Sequence, residues 1–132
     1  DPVTGAFAAA ASMLAARESH SMTTLADGRV LAVGGFPSSG TAEVYDPVTN
    51  TLSATTGSPG TPRGGHTATR LPDGRVLIIG GQSGFVRNTA EIFDPVTGLF
   101  SAVGSMATPR FAHSATIISA CTPCARSSRA GG

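Results

Sequence analysis

Three regularly spaced histidines are the residues that could most readily form a chemical site. His20, His66 and His113 lie 46 and 47 residues apart. Imidazole is the commonest metal ligand in proteins, so three such side chains could bind a metal ion. Equal spacing favours a structural role instead, because equivalent positions in repeated units are distributed around an axis. We expect each histidine to bond a neighbouring backbone, and we predict no metal ligand, cofactor or catalytic residue.

An arginine stands three residues before each histidine. These are Arg17, Arg63 and Arg110, and Glu43 and Glu91 recur once per unit as carboxylates of opposite charge. A bidentate Arg–carboxylate pair within or between units would orient strands, whereas the alternative is a charged rim that faces a ligand. Since the same two residue types return in each unit, we favour the structural pairing.

A C-x-x-C motif lies near the end of the sequence, from Cys121 to Cys124. Such a pair can bind zinc or cycle as a dithiol. Zinc would need a second pair of ligands, and a redox motif should open a helix after a strand. Neither condition is met, so we interpret the motif as part of an irregular tail.

The histidines, arginines and glutamates follow an internal repeat of 46 to 48 residues, which changes the fold prediction. DGRVL occurs at 27–31 and 73–77, TAEVYDPVT at 41–49 returns as TAEIFDPVT at 89–97, and a third DPVT opens the chain. The glycine pairs lack the Lys and Ser/Thr of a phosphate loop, and absent side chains there would allow a neighbouring backbone to approach closely. The repeated glycines and aspartates are Gly34, Gly35, Gly80, Gly81, Asp46 and Asp94.

Each unit contains four short β-prone runs separated by turn residues. Asp-Gly at 27–28 and 73–74 predicts a hairpin, and Asp-Pro-Val-Thr predicts a second turn. In the first unit the predicted strands are 20–25, 29–33, 41–45 and 52–55, with a surface loop at 36–40 that corresponds to 82–88 in the second unit. The sequence therefore predicts an all-β chain built of four-stranded antiparallel units.

The order of His, DGRVL, Gly-Gly and AEVYDP resembles the kelch repeat of β-propellers, including bacterial proteins similar to the central domain of galactose oxidase. The resemblance covers about residues 1–118 and implies a kelch-type β-propeller made of four-stranded blades. It departs from the family at the fourth strand, where Leu52 and Phe100 stand in place of the usual Trp. We expect this to weaken blade packing without changing the fold.

The repeat divides the chain into two whole blades and two partial ones. We predict the last strand of a preceding blade at 1–15, blades at 16–60 and 61–108, the first strand of a following blade at 109–119 and a tail at 120–132. Propellers bury their blade faces by closing a ring of four to eight blades, which this number cannot do. The chain is therefore expected to be a slice of a larger propeller or to complete one by self-association.

Composition excludes several function classes. The 132 residues carry nine Arg, no Lys and eight carboxylates, for a net charge of +1, so the sequence gives no electrostatic signal for nucleic acid. No apolar run approaches the length of a membrane span. Variable loops on a rigid frame favour a non-enzymatic module that binds protein or carbohydrate. The alternatives are part of a galactose-oxidase-like copper oxidoreductase whose active-site residues lie outside this chain, or a truncated product without activity. The resemblance alone suggests an extracellular or cell-surface location.

Overall fold

The computed structural model describes residues 1–37 and 40–118, and within them the chain folds into short antiparallel strands. The described part contains no helix long and apolar enough to cross a membrane. The strands are β1 (Arg17–Glu18), β2 (Ser21–Thr24), β3 (Val30–Val33), β4 (Phe36–Pro37), β5 (Ala42–Asp46), β6 (Thr51–Ala54), β7 (Thr67–Arg70), β8 (Val76–Ile79), β9 (Gln82–Ser83), β10 (Phe85–Val86), β11 (Ala90–Asp94) and β12 (Leu99–Val103).

Eight of these strands form two equivalent four-stranded sheets. The first sheet has the order β2-β3-β5-β6 and the second has the order β7-β8-β11-β12. Both are antiparallel meanders in the same register, since Leu31 pairs with Val44 in the first sheet and Leu77 pairs with Ile92 in the second. The four-stranded antiparallel units predicted from the repeat are therefore present.

Turn residues determine where each sheet reverses. Gly28 and Gly74 occupy the left-handed region with φ of 90° and 91° in the two Asp-Gly hairpins. In the Asp-Pro-Val-Thr turns, the Asp46 carboxylate accepts the Val48 N–H at 2.8 Å, and Asp94 does the same with Val96. These are Asx turns, in which a short carboxylate satisfies the backbone ahead of it.

The hydrophobic core lies between the two sheets. The strands β2 and β7 lie side by side, and the Thr23 hydroxyl donates a 3.4 Å hydrogen bond to the Ala68 carbonyl. The two sheets use different faces for this contact: Leu31 and Val33 point into the core from the first sheet, whereas Val76 and Ile78 do so from the second. Each sheet therefore buries apolar surface by stacking on its neighbour. The buried core residues are Leu25, Leu31, Val33, Ala42 and Val44 from the first repeat and Val76, Ile78 and Phe93 from the second, with Ala68 and Phe100 packed against them.

Two parts of the predicted strand pattern were wrong. The predicted loops contain short strands, because Phe36–Pro37 pairs with Arg17–Glu18 and Gln82–Ser83 pairs with Phe85–Val86. The segments predicted as the last strand of a preceding blade, 1–15, and the first strand of a following blade, 109–119, carry no strand assignment within the described residues. A strand needs a partner for its ladder, and the strands that would pair with these segments are absent from the described residues.

Candidate functional site

The second repeat holds a buried ion pair between Arg63 and Glu91. The Arg63 side chain is fully buried, and its Nη2 lies 2.9 Å from Glu91 Oε2. Its Nη1 donates to the carbonyls of Gly80 at 2.7 Å and Thr89 at 3.0 Å. Burial lowers the pKa of Arg63, while the charge of Glu91 opposes that shift. One guanidinium thus connects the start of the repeat to the two strands that flank its variable loop.

The first repeat reproduces this arrangement with Arg17 and Glu43. The Arg17 guanidinium contacts the Glu43 carboxylate and donates to the carbonyl of Gly34 at 2.7 Å and to that of Thr41 at 3.2 Å. The pairing predicted from the sequence is therefore found within each repeat and not between repeats. Arg110 is exposed, and no carboxylate pairs with it among the described residues.

Each glutamate also holds the segment that enters its sheet. Glu91 Oε1 accepts the Gly60 N–H at 2.6 Å, and Glu43 Oε2 accepts the Leu14 N–H at 2.7 Å. Burial opposes ionisation of Glu43, but the Leu14 N–H and the Arg17 guanidinium outweigh it, so the pKa of Glu43 is lowered. Hydrogen bonds and an adjacent cation stabilise the ionised carboxylate, which keeps a buried charge tolerable.

The second glycine of each pair donates a backbone hydrogen bond to the start of the following repeat. The Gly35 N–H donates to the Arg63 carbonyl at 2.9 Å, and the Gly81 N–H donates to the Arg110 carbonyl at 2.7 Å. A Cβ on Gly34 would lie 2.2 Å from the Arg63 carbonyl oxygen, closer than atoms can approach. Gly34 also has a φ of 63°, so both space and backbone conformation require glycine there.

The histidines bridge successive repeats. His66 Nε2 is hydrogen-bonded to the Oγ of Ser21 at 2.7 Å, and His113 Nε2 is hydrogen-bonded to Thr67 Oγ1 at 3.2 Å. Each partner hydroxyl belongs to the first residue of the first strand in a four-stranded sheet, which is β2 for Ser21 and β7 for Thr67. The prediction placed the partner on a neighbouring backbone, whereas the structure places it on a neighbouring side chain.

Burial keeps His66 neutral. Desolvation, helped by the charge of Arg63, lowers the pKa of His66 to about 4. Its Nδ1 is buried and has no hydrogen-bond partner, as is also true of His20 and His113. Protonation would leave a buried N–H without an acceptor, and that physical cost accounts for the direction of the shift.

The described residues do not fit a metal or copper centre. No group of three or more His, Cys, Asp and Glu side chains within residues 1–37 and 40–118 is arranged to hold a metal ion. His66 and His113 instead contact hydroxyls at two different junctions. The C-x-x-C pair, Cys121 and Cys124, lies outside the described residues.

The loop between β8 and β11 presents an aromatic and a cation at the surface. The Phe85 side chain is 64% exposed, and the Arg87 guanidinium carbon lies 3.9 Å from the centre of its ring. Gln82 exchanges two 2.9 Å backbone hydrogen bonds with Gly64, which brace the loop against the start of the same repeat. Arg87 Nε is buried without a hydrogen-bond partner.

Sequence reasoning missed the partners of the histidines, and it predicted ligand contacts on the loop at 82–88 without singling out Phe85 or Arg87. A signal for the first was available, since every histidine is followed by a hydroxyl residue, Ser21, Thr67 or Ser114. No comparable signal marks Phe85, because the loop has no counterpart of equal length in the first repeat.

Comparison with known proteins agrees with this architecture. A family model of the kelch motif matches residues 62–107. Among solved structures, the chain is similar to a fungal alcohol oxidase of the AA5 family in complex with copper, with a TM-score of 0.57 and 23% identity over 63% of this chain. The match covers 18% of that protein, so the chain spans less than a fifth of its length. No curated protein matches the sequence.

The second sheet therefore matches the kelch motif, the two sheets stack as blades of a β-propeller do, and the described residues are all-β. The glycine pair and the bridging histidine form the junction by which one sheet holds the next, while the buried Arg–Glu pair ties together the segments of its own repeat.

Proposed function

We propose that the chain is a non-enzymatic binding and scaffold module whose contacts with a protein or glycan lie on the loops between the second and third strands of each blade. The single observation that carries this proposal is the exposed Phe85 with Arg87 beside its ring. Aromatic residues and arginine are both enriched at protein interfaces.

The chemistry of the pair indicates what a ligand would offer. Phe85 presents an apolar ring, which suits the C–H face of a sugar or an apolar side chain. Arg87 supplies a fixed positive charge and planar donors, which suit a carboxylate or hydroxyl acceptor. The backbone pairing of Gln82 with Gly64 limits the movement of the loop and lowers the entropic cost of binding.

The copper and the alcohol oxidase activity belong to the fungal protein. At this level of identity the similarity supports a shared fold, and function depends on a site, not on the fold that carries it. Since the described residues gather no metal-binding group, no specific observation favours the oxidoreductase alternative for this chain.

Binding should be screened on a glycan array and on an array of short acidic and neutral peptides. We expect Phe85→Ala and Arg87→Ala each to weaken the strongest interaction at least tenfold. Val96→Ala and Arg75→Ala are matched controls, because both residues lie at the opposite end of the blades, and they should leave binding unchanged. Absence of any ligand, or binding that is indifferent to Phe85 and Arg87, would contradict the proposal; the array that responds distinguishes glycan from protein.

A further inference from the structure

The outer face of the first sheet carries apolar residues at certain repeat positions. The residues at the same positions of the second sheet pack into the core between the two sheets. Met22, Val30 and Ala32 correspond to Ala68, Val76 and Ile78 after 46 residues, and Tyr45 and Leu52 correspond to Phe93 and Phe100 after 48. In the second sheet these positions pack into the core. In the first sheet they line an open apolar cavity of about 300 Å³ together with Ala10, Ala11, Met13 and His20.

The second sheet carries the complementary half of the same interface on its own outer face. Leu71, Leu77 and Ile79 correspond to Leu25, Leu31 and Val33, which are fully buried in the core. On the second sheet they line a smaller cavity with Ala115, Thr116 and Ile117. One molecule therefore presents both halves of the interface that already joins its two sheets.

We propose that a second copy of this chain binds head to tail, with the outer face of its second sheet on the outer face of the first sheet. The occupant follows from continuity with the interface between the two sheets, since the eight positions of that interface named above are repeated on the free faces. A contact between two different surfaces of identical chains is heterologous, so it extends to a closed ring or an open chain of copies. This inference is independent of ligand binding by the loops.

The polar contacts of the junction also find their counterparts. His20 occupies the position of His66, and the hydroxyl that it requires is supplied by the partner's Thr67, as Ser21 supplies it to His66. The Gly81 N–H of the second copy would donate to the Arg17 carbonyl, as the Gly35 N–H donates to that of Arg63, in place of its present bond to the Arg110 carbonyl.

Two segments of the chain compete with the second copy. His113 already holds Thr67, and residues 115–117 lie over the outer face of the second sheet. At the other face Ala11 donates a 3.1 Å hydrogen bond to the Asn50 side chain, while Phe7 is fully exposed. Neither segment forms a strand ladder, so a blade with its complete apolar face can displace them.

Sedimentation velocity over a hundredfold range of concentration tests the proposal. We expect the mass to rise in multiples of the chain, and Met22→Asp to weaken association at least tenfold because Met22 is 59% exposed on the first-sheet face. Val96→Asp, on an exposed turn, is the matched control and should associate as the unaltered chain does.

A mixing experiment separates the two faces, and it uses variants whose circular dichroism spectra match that of the unaltered chain. Thr69→Arg alters the second-sheet face and should also block association on its own. A mixture of Met22→Asp and Thr69→Arg chains retains one intact pair of faces and should stop at dimers. A monomer at every concentration, association that survives both substitutions, or a mixture without dimers would overturn the proposal.

Discussion

The Nε2 atom of His66 lies 2.7 Å from the Oγ of Ser21, so a side chain of the second repeat is held by the first residue of β2 in the first repeat. His113 and Thr67 repeat this relationship one blade further along. His66 therefore joins the second sheet to the first, and its lowered pKa makes it a neutral hydrogen-bonding group.

Removal of the Ser21 hydroxyl should destabilise the blade junction. Ser21→Ala leaves a buried imidazole nitrogen without its partner, which costs about 1–3 kcal/mol. Ser21→Thr keeps a hydroxyl, as the native Thr67 does at the equivalent position, and should retain most of the stability. Chemical denaturation of both variants measures the difference; equal losses would show that the hydroxyl is not what matters.

Stability should fall as the pH drops from about 6.5 to about 4. The pKa of His66 is lowered from 6.5 to about 4, so the unfolded chain binds the proton more tightly than the folded chain does. The contribution of neutral His66 to stability is therefore fully present above pH 6.5 and is lost as the pH falls towards 4. The loss amounts to about 3 kcal/mol at most. The lowered pKa of Glu43 adds a further loss below about 4.5, its ordinary value.

Thermal unfolding across this pH range measures the effect, with His66→Gln as the comparison. Glutamine can still bond the Ser21 hydroxyl but does not titrate, so the variant should lose less stability between pH 6.5 and 4.5. The same slope in both proteins would contradict the assignment to His66.

The two kinds of glycine should respond differently to a methyl group. Gly34→Ala forces a Cβ against the Arg63 carbonyl and also requires a φ of 63°, so we expect a loss on the order of 2–5 kcal/mol. Gly28 has open space around it and only the positive φ, so Gly28→Ala should cost about 1–2 kcal/mol. Urea denaturation compares them, and equal costs would argue against close packing at Gly34.

Loss of one partner from the buried ion pair should be far more costly than loss from an exposed one. Arg63→Ala leaves the Glu91 carboxylate buried and uncompensated, at a cost of about 3–5 kcal/mol. Arg75 pairs with Asp73 in the exposed hairpin, and Arg75→Ala should change stability little. Similar midpoints of denaturation for the two variants would be inconsistent with a structural role for the buried pair.

Much of this fold is predictable because the repeat itself carries the information. The DGRVL and AEVYD segments specify strands and turns by local chemistry, and the recurring Arg and Glu specified a pair. The pair could not be assigned within or between repeats, since that depends on the path of the chain from Arg63 to Gly80 and Glu91. The division of the chain at 15, 60, 108 and 119 stays a prediction.

The remaining features arise from tertiary context. Phe36–Pro37 and Gln82–Ser83 form strands because the chain returns beside another segment, which no local pattern reveals. The terminal segments lose their predicted strands for the opposite reason, since strand propensity has no effect without a partner. The histidine contacts depend on the offset between stacked sheets, and only coordinates supply that.

The stacking of the two sheets is tested most directly by nuclear Overhauser effects at the junction. A Cβ on Gly34 would lie 3.0 Å from His66 Cε1, so the Gly34 α-protons must be close to the imidazole Hε1. We predict a strong cross-peak between these protons in the unaltered chain, and a second between Gly80 and His113. Cross-peaks confined to protons within one repeat would contradict the stacked-blade arrangement.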